Sequence, residues 1–210
     1  MDAMPLQPET DTTRQAEPRL SEVFAALAAE DRPRVAIGDV VEALGDRSFA
    51  PVMILLAVPN AIPFLPGSSA VLGLLLALIG LQLMFGLSRV RLPQRLTRWS
   101  FDREGFGRMV ARITPWLVRF ERMARPRYWP DTYRLGERLA GAISIGLALM
   151  IMLPIPFANA MPALAICLLA FGISERDGLW LGAGIVVGAV AAGVVAGLFA
   201  AGFAAATTLL

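Results

Sequence analysis

The sequence predicts an all-α fold: a polytopic integral membrane protein with Pro-broken, re-entrant helical hairpins. Three observations predict it. First, 56% of the 210 residues are apolar, with a mean hydropathy of +0.61, against about 45–50% apolar in ordinary soluble domains. Second, residues 48–88, 139–174 and 178–210 contain no charged side chain. Each stretch exceeds the ~20 apolar residues that a helix needs to cross a bilayer core. None has the polar face that a helix of a soluble protein turns to water. Third, the first two stretches are interrupted alike by clusters of Pro.

Taken in order, residues 1–18 are polar with three Pro and no periodicity, and read as a disordered N-terminal tail. The first 48 residues are acid-rich and read as no cleavable signal. Residues 19–47 read as a cytoplasmic amphipathic helical pair. Leu20, Val23, Phe24 and Leu27 recur at helical spacing, and Asp31-Arg32-Pro33-Arg34 breaks the pattern. Asp39 and Glu42 are spaced as a capping box before Val40, Val41 and Leu44, with Gly45 as the stop.

Residues 48–88 form the first membrane block. Pro59, Pro63 and Pro66 remove three backbone donors within eight residues, which a simple spanning helix does not tolerate. The limb before this break, Ser48 to Val58, reaches only about 16 Å at the helical rise. The second block, residues 139–174, repeats the design with Pro154, Pro156 and Pro162. The two blocks share Asn-Ala-(Ile/Met)-Pro, at Asn60–Pro63 and Asn159–Pro162. They also share Gly-x5-Gly, at Gly80–Gly86 and Gly172–Gly178. The two matches fall at offsets of 99 and 92, from 159 − 60 and 172 − 80, so a gap of seven aligns both. An internal repeat, inverted across the membrane, fits this pattern. It sits in tension with two hairpins that each enter and leave on one side.

Irregular backbone at membrane depth must be buried or line a wet cavity. Broken segments at matching positions of two halves point to a central site in repeat-built transporters. The candidate solute or structural site is therefore Asn60, Pro63, Pro66, Gln82, Pro154, Pro156, Asn159 and Pro162. Two readings stand side by side. Each Asn contacts a solute, or each satisfies backbone freed by Pro. Gln82 reads as an interhelical hydrogen bond.

Between the blocks, residues 89–138 carry 13 Arg against 5 acids, and Arg-rich segments flanking membrane helices stay cytoplasmic. Asp102 can cap a helix whose Phe106, Met109, Val110, Ile113, Trp116, Leu117, Phe120 and Met123 make one apolar stripe. That stripe either lies on the membrane surface or packs against the protein's own helices. Ser174-Glu175-Arg176-Asp177-Gly178 reads as a solvated turn. It opens the last segment, residues 175–210, whose helix is rich in small residues. Gly184–Gly188 and Gly193–Gly197 are GxxxG pairs that let backbones approach, within the chain or across a homodimer.

The composition excludes several chemistries. All 19 basic residues are Arg, there is no His, and Cys167 is the single Cys. That rules out a disulfide, a Cys/His metal site and a His-assisted nucleophile. No ionisable residue lies inside a block, so the usual mark of a proton relay or intramembrane catalyst is missing. No enzyme activity, cofactor or metal is expected. The expected partners are the lipid bilayer and a second copy, with no nucleic acid, because Arg beside membrane blocks needs no other explanation.

The order of several features carries a family resemblance. Leu44-Gly45-Asp46-Arg47-Ser48-Phe49 precedes Val58-Pro59-Asn60, Pro63, Pro66-Gly67, Gly73 and Gln82-Leu83-Met84-Phe85-Gly86. Leu92-Pro93, Leu153-Pro154-Ile155-Pro156, Asn159, Pro162-Ala163 and Glu175-Arg176-Asp177-Gly178 follow. This resembles the ExoD family of bacterial membrane proteins, from about Leu20 to near the C-terminus. The resemblance implies a multi-pass place in the bacterial inner membrane and a part in exopolysaccharide synthesis. The Pro-broken helices lead to the expectation of a small-solute or ion transporter with its site at the breaks, the alternative being a non-transporting accessory protein that organises the synthesis machinery. The resemblance carries no catalytic residues across.

Overall fold

The computed structural model describes residues 20–29, 34–44, 49–61, 69–87, 89–93, 97, 100–123, 127–128, 133–153 and 159–209. The described chain runs α1 (Leu20–Ala29), β1 (Arg34–Ala36), α2 (Ile37–Leu44), α3 (Phe49–Ala61) and α4 (Ser69–Met84). It continues with β2 (Ser100–Asp102), α5 (Arg103–Met123), α6 (Tyr133–Met152), α7 (Ala160–Ser174) and α8 (Gly178–Leu209). The tail of residues 1–18, the Asp31–Pro33 break and Gly45 lie outside the described residues.

One feature departs from an all-α reading. β1 and β2 pair antiparallel, with Val35 opposite Phe101. Three-residue strands are too short to carry a period, so sequence patterning does not reveal them. The pair joins α2 to the start of α5. Asp39 also has a different role from the one its spacing predicts. α2 begins at Ile37, and the Asp39 carboxylate accepts the Ala36 N–H at 3.1 Å. It acts as the third helical residue of a capping box and not as the cap itself. Asp102 does cap α5, accepting the Gly105 N–H at 3.4 Å.

Four helices form the central bundle: α3, α4, α6 and α7. α4 packs on α6 and α7 on α3, with α3–α4 and α6–α7 completing the ring. α3 is buried on all sides from Phe49 to Asn60. The α4–α6 contact is made by backbone. A Cβ at Gly141 would lie 2.6 Å from the Met84 nitrogen and 2.7 Å from the Gly80 carbonyl oxygen. A Cβ at Gly73 would lie 2.7 Å from Met152 Cγ. Small residues at such crossings let helix axes close to backbone contact.

These contacts also give direction. Gly73 near the start of α4 meets Met152 at the end of α6, and Gly80 further along meets Gly141. The two helices are antiparallel, and both Pro-rich breaks lie at the same end of the bundle. An inverted repeat needs the breaks at opposite ends, so the two halves are not related by inversion.

α8 packs antiparallel on α7. A Cβ at Gly172 would meet the Leu181 nitrogen at 2.6 Å, and one at Gly184 would meet Leu169 at 2.8 Å. Gly188 touches Leu147 and Ala165 more loosely. Nothing lies within 4 Å of a Cβ at Gly193 or Gly197. The first GxxxG pair therefore packs inside the chain and the second faces out. Val195 is the last buried side chain among the described residues of α8. α8 continues unbroken to Leu209, about 48 Å at the helical rise.

Lengths divide the apolar helices. α6 contains Leu135–Met152, with mean hydropathy 1.5, and α8 contains Gly178–Gly202, with mean hydropathy 2.3. Both are long and apolar enough to cross a membrane. α3, α4 and α7 have 13, 16 and 15 residues, about 20 to 24 Å each, and fall short. Many large apolar side chains face outward. They include Leu74, Leu81, Leu139, Leu149, Leu164, Val186, Val190 and Leu198. A water-soluble monomer rarely exposes so continuous an apolar surface.

Adding one methyl group at Gly141 tests the backbone contact. Gly141→Ala is expected to cost about 1–3 kcal/mol by overpacking and to lower the melting temperature of the purified protein in detergent. Gly197→Ala, where space is open, is expected to leave it unchanged.

Candidate functional site

The polar groups of the uncharged blocks fall into three settings. Gln82 is buried in α4 and uses both ends of its amide on one neighbour. Its Nε2 donates to the Arg91 carbonyl at 2.9 Å, and its Oε1 accepts the Arg91 N–H at 2.7 Å. This pair of bonds has the geometry of a strand rung and pins the chain after α4 back onto the helix. The predicted interhelical bond is replaced by a bond to a loop nine residues away.

Asn60 is buried near the C-terminal end of α3, one residue after Pro59. Its Nδ2 donates to the Leu56 carbonyl at 2.9 Å. The bond stays within α3, on the carbonyl next to that of Leu55, which Pro59 leaves without its helical donor.

Asn159 is different. It occupies the cap position of α7, yet its side chain makes no capping bond. Its Oδ1 is buried and has no hydrogen-bond partner. The sequence explains why. A cap side chain bonds the N–H of the second or third helical residue, and the third here is Pro162, which has none. The Asn of the shared tetrad thus falls at different places, Asn60 in the last turn of α3 and Asn159 at the cap of α7. The Gly-x5-Gly match also falls on different contacts, Gly80 against α6 within the ring and Gly172 against α8 outside it. Pro162 is buried in the first turn of α7. Pro63, Pro66, Pro154 and Pro156 lie outside the described residues. Ser144, fully buried in α6, is a further orphan hydroxyl. A lone Ser in an apolar helix gives no sequence signal of that kind.

The turn between α7 and α8 is not solvated as its charges suggest. Asp177 has no exposed side-chain surface. Its carboxylate lies 3.3 Å from the Nε of Arg127, which is 41% exposed, and accepts the Leu179 N–H at 3.0 Å. The Gly178 N–H donates to the Arg127 carbonyl at 2.9 Å. A Cβ at Gly178 would run into the Tyr128 carbonyl, so only Gly fits there. Arg176 and Tyr128 both take left-handed backbone, at φ 51° and 53°. Asp177 therefore caps α8 and fastens the segment between α5 and α6 to it. Its partner is 50 residues away in sequence, which is why the local pattern reads as an ordinary exposed turn. Phe171 and Trp180 meet edge to face across the same turn, with ring centroids 5.5 Å apart.

A cavity of about 380 Å³ opens between α3, α5 and α7. Its walls are apolar apart from Arg112. Among the described residues, no three His, Cys, Asp or Glu side chains gather to hold a metal ion.

Fold and site together define a helical bundle with outward-facing apolar helices, whose turns are held by its own polar side chains. The chain belongs to the exopolysaccharide synthesis family ExoD, whose profile matches residues 20–197. It is 35% identical to an uncharacterized protein of Synechocystis over 160 residues, 75% of this chain and 76% of that protein. It is 28% identical to the Protein ExoD of Rhizobium meliloti over 172 residues, 79% of this chain and 71% of the relative. No solved structure matches.

Removing the buried carboxylate tests the fastening at the α7–α8 turn. Asp177→Ala is expected to lose an N-cap, about 1–2 kcal/mol, and to make the chain near Tyr128 more sensitive to limited proteolysis. An unchanged melting temperature with an unchanged cleavage pattern would show that the pair holds nothing.

Proposed function

We propose that the protein is an inner-membrane component that supports exopolysaccharide synthesis as a non-enzymatic accessory. In this reading it organises the synthesis machinery and does not itself carry a solute. The observation that supports it is the use of Gln82. Both ends of the Gln82 amide bind the chain's own backbone, and Asn60 donates to its own helix. Polar groups of a permeation path are aimed at a lumen, and these two are aimed at main chain. The exposed apolar faces then serve as contact surface for lipid and for other membrane helices.

The two hairpins enter from the cytoplasmic face and return to it, with both Pro-rich ends at depth. The Arg-rich residues 89–138 stay on the cytoplasmic side. α8 makes the full crossing and carries the C-terminus to the far side. The hairpins are copies of one unit related by rotation, and the open Gly193 and Gly197 are free for a second copy of the chain. Cysteine accessibility in intact cells and inverted vesicles tests this topology in a Cys167→Ala background. Thr97→Cys is expected to react from the cytoplasmic side and Thr207→Cys from outside.

A second reading, passage of a small solute or ion, is favoured by one observation. The orphan Oδ1 of Asn159 lies at the end of the bundle where both breaks meet. Flux in proteoliposomes separates the two. The accessory reading expects no solute or ion flux above protein-free vesicles, in wild type and Asn159→Ala alike. Flux that Asn159→Ala abolishes in a folded protein establishes transport instead.

A further inference from the structure

α5 changes character along its length. Phe106, Met109 and Val110 are buried, and the first half of the helix packs on α1 and the strand pair. Beyond Ile113 the same apolar stripe is uncovered, with Trp116 62% exposed and Met123 54% exposed. The cavity opens where the stripe leaves the protein. Ile54 and Val58 of α3 and Leu164 and Phe171 of α7 line it, and Ile113 and Trp116 line it from α5. Arg112 is its one charged lining residue, exposed and with no ion-pair partner among the described residues. Arg108, Arg119 and Arg122 continue the exposed positive face of the helix.

We propose that this cavity binds one acyl chain of an anionic phospholipid, whose phosphate is held by the Arg112 guanidinium. The shape selects the class of occupant. At about 380 Å³ the cavity is near the small end of ligand sites, which run from roughly 300 to 1,000 Å³. It has room for a flexible hydrocarbon chain and not for a protein helix. The chemistry is two-part, as a lipid is: aliphatic side chains within, one cation at the edge. Arg forms paired charge-assisted hydrogen bonds to phosphate oxygens. Basic pockets between membrane helices on the cytoplasmic side take anionic headgroups. Trp116 at the same edge has the amphipathic ring that favours the interfacial depth. The site rests on membrane placement but not on the choice between accessory and transporter. Recovery of the protein in the membrane fraction reports that placement separately.

Cys167 lines the cavity and is the only thiol in the chain, so it can report occupancy. The purified protein, in a detergent with an uncharged headgroup, is treated with a methanethiosulfonate reagent. Phosphatidylglycerol and phosphatidylcholine of identical acyl chains are added in parallel. Phosphatidylglycerol is expected to slow Cys167 labelling and to remain as one bound lipid in native mass spectrometry. Phosphatidylcholine has the same phosphate but offsets its charge with its own choline, so it is expected to do so about fivefold less well, the worth of one basic residue beside a net anionic headgroup. Arg112→Gln should erase the difference between the lipids, and Ala61→Phe, which fills the cavity, should weaken both. Quenching by brominated phosphatidylglycerol, compared between wild type and Trp116→Phe, gives a readout that needs no destabilising change. Labelling that phosphatidylglycerol does not slow overturns the proposal. So does equal retention of the two lipids, or a preference that survives Arg112→Gln. A thiol protected at every lipid level assigns the cavity to a second copy or another part of the chain, and also overturns it.

Discussion

The arrangement depends on one close approach, the meeting of α4 and α6 at Gly80 and Gly141. At this crossing the backbones leave no room for a side chain, so the register between the two hairpins is set to within one residue. That register places the two Pro-rich breaks together at one end and both charged connections at the other. It also leaves α3, the shortest bundle helix, in the middle. α3 needs no polar face because α4 and α7 pack along it.

A second consequence concerns where polarity goes. With charges held to the connections, the apolar blocks have few hydrogen-bonding side chains, and most of them repair the backbone. Gln82 supplies a rung to the chain after α4, and Asn60 donates beside a Pro. Asp177 caps a 32-residue helix and holds Arg127. Asn159 and Ser144 are exceptions; for Asn159, Pro162 removes one of the two donors a cap side chain uses. Polar atoms left over in an apolar setting carry a cost, and that of Asn159 lies where the geometry of both hairpins converges.

Much of the scaffold is legible in the sequence, because charge and Pro act locally. Uncharged stretches mark the apolar helices, and Pro clusters mark where α3 and α6 stop. Asp102 marks the start of α5. The rest depends on partners distant in the chain. Nothing local distinguishes Gly141, which has no freedom, from Gly197, which faces open space. Nothing in Ser174–Gly178 announces that Asp177 is buried, since Arg127 belongs to another segment. The strand pair is too short to show a period. Asn159 stands out in the shared tetrad, but the two Asn of that tetrad take different places, Asn60 inside α3 and Asn159 at the cap of α7. The apolar stripe of α5 was read as having one fate, and it has two, inside up to Ile113 and outside beyond it.

The length of α8 has a further meaning. Its first half is fitted to α7 and α6, residue against residue. Beyond Val195, its second half is fitted to nothing among the described residues. The stretch shared with the family ends at residue 197, almost where packing ends. The two halves of one continuous helix thus answer to different constraints. The inner half is held to a unique sequence by neighbours within bonding distance. The outer half meets no such neighbour among the described residues, so its sequence is constrained by what surrounds the bundle and not by the bundle itself.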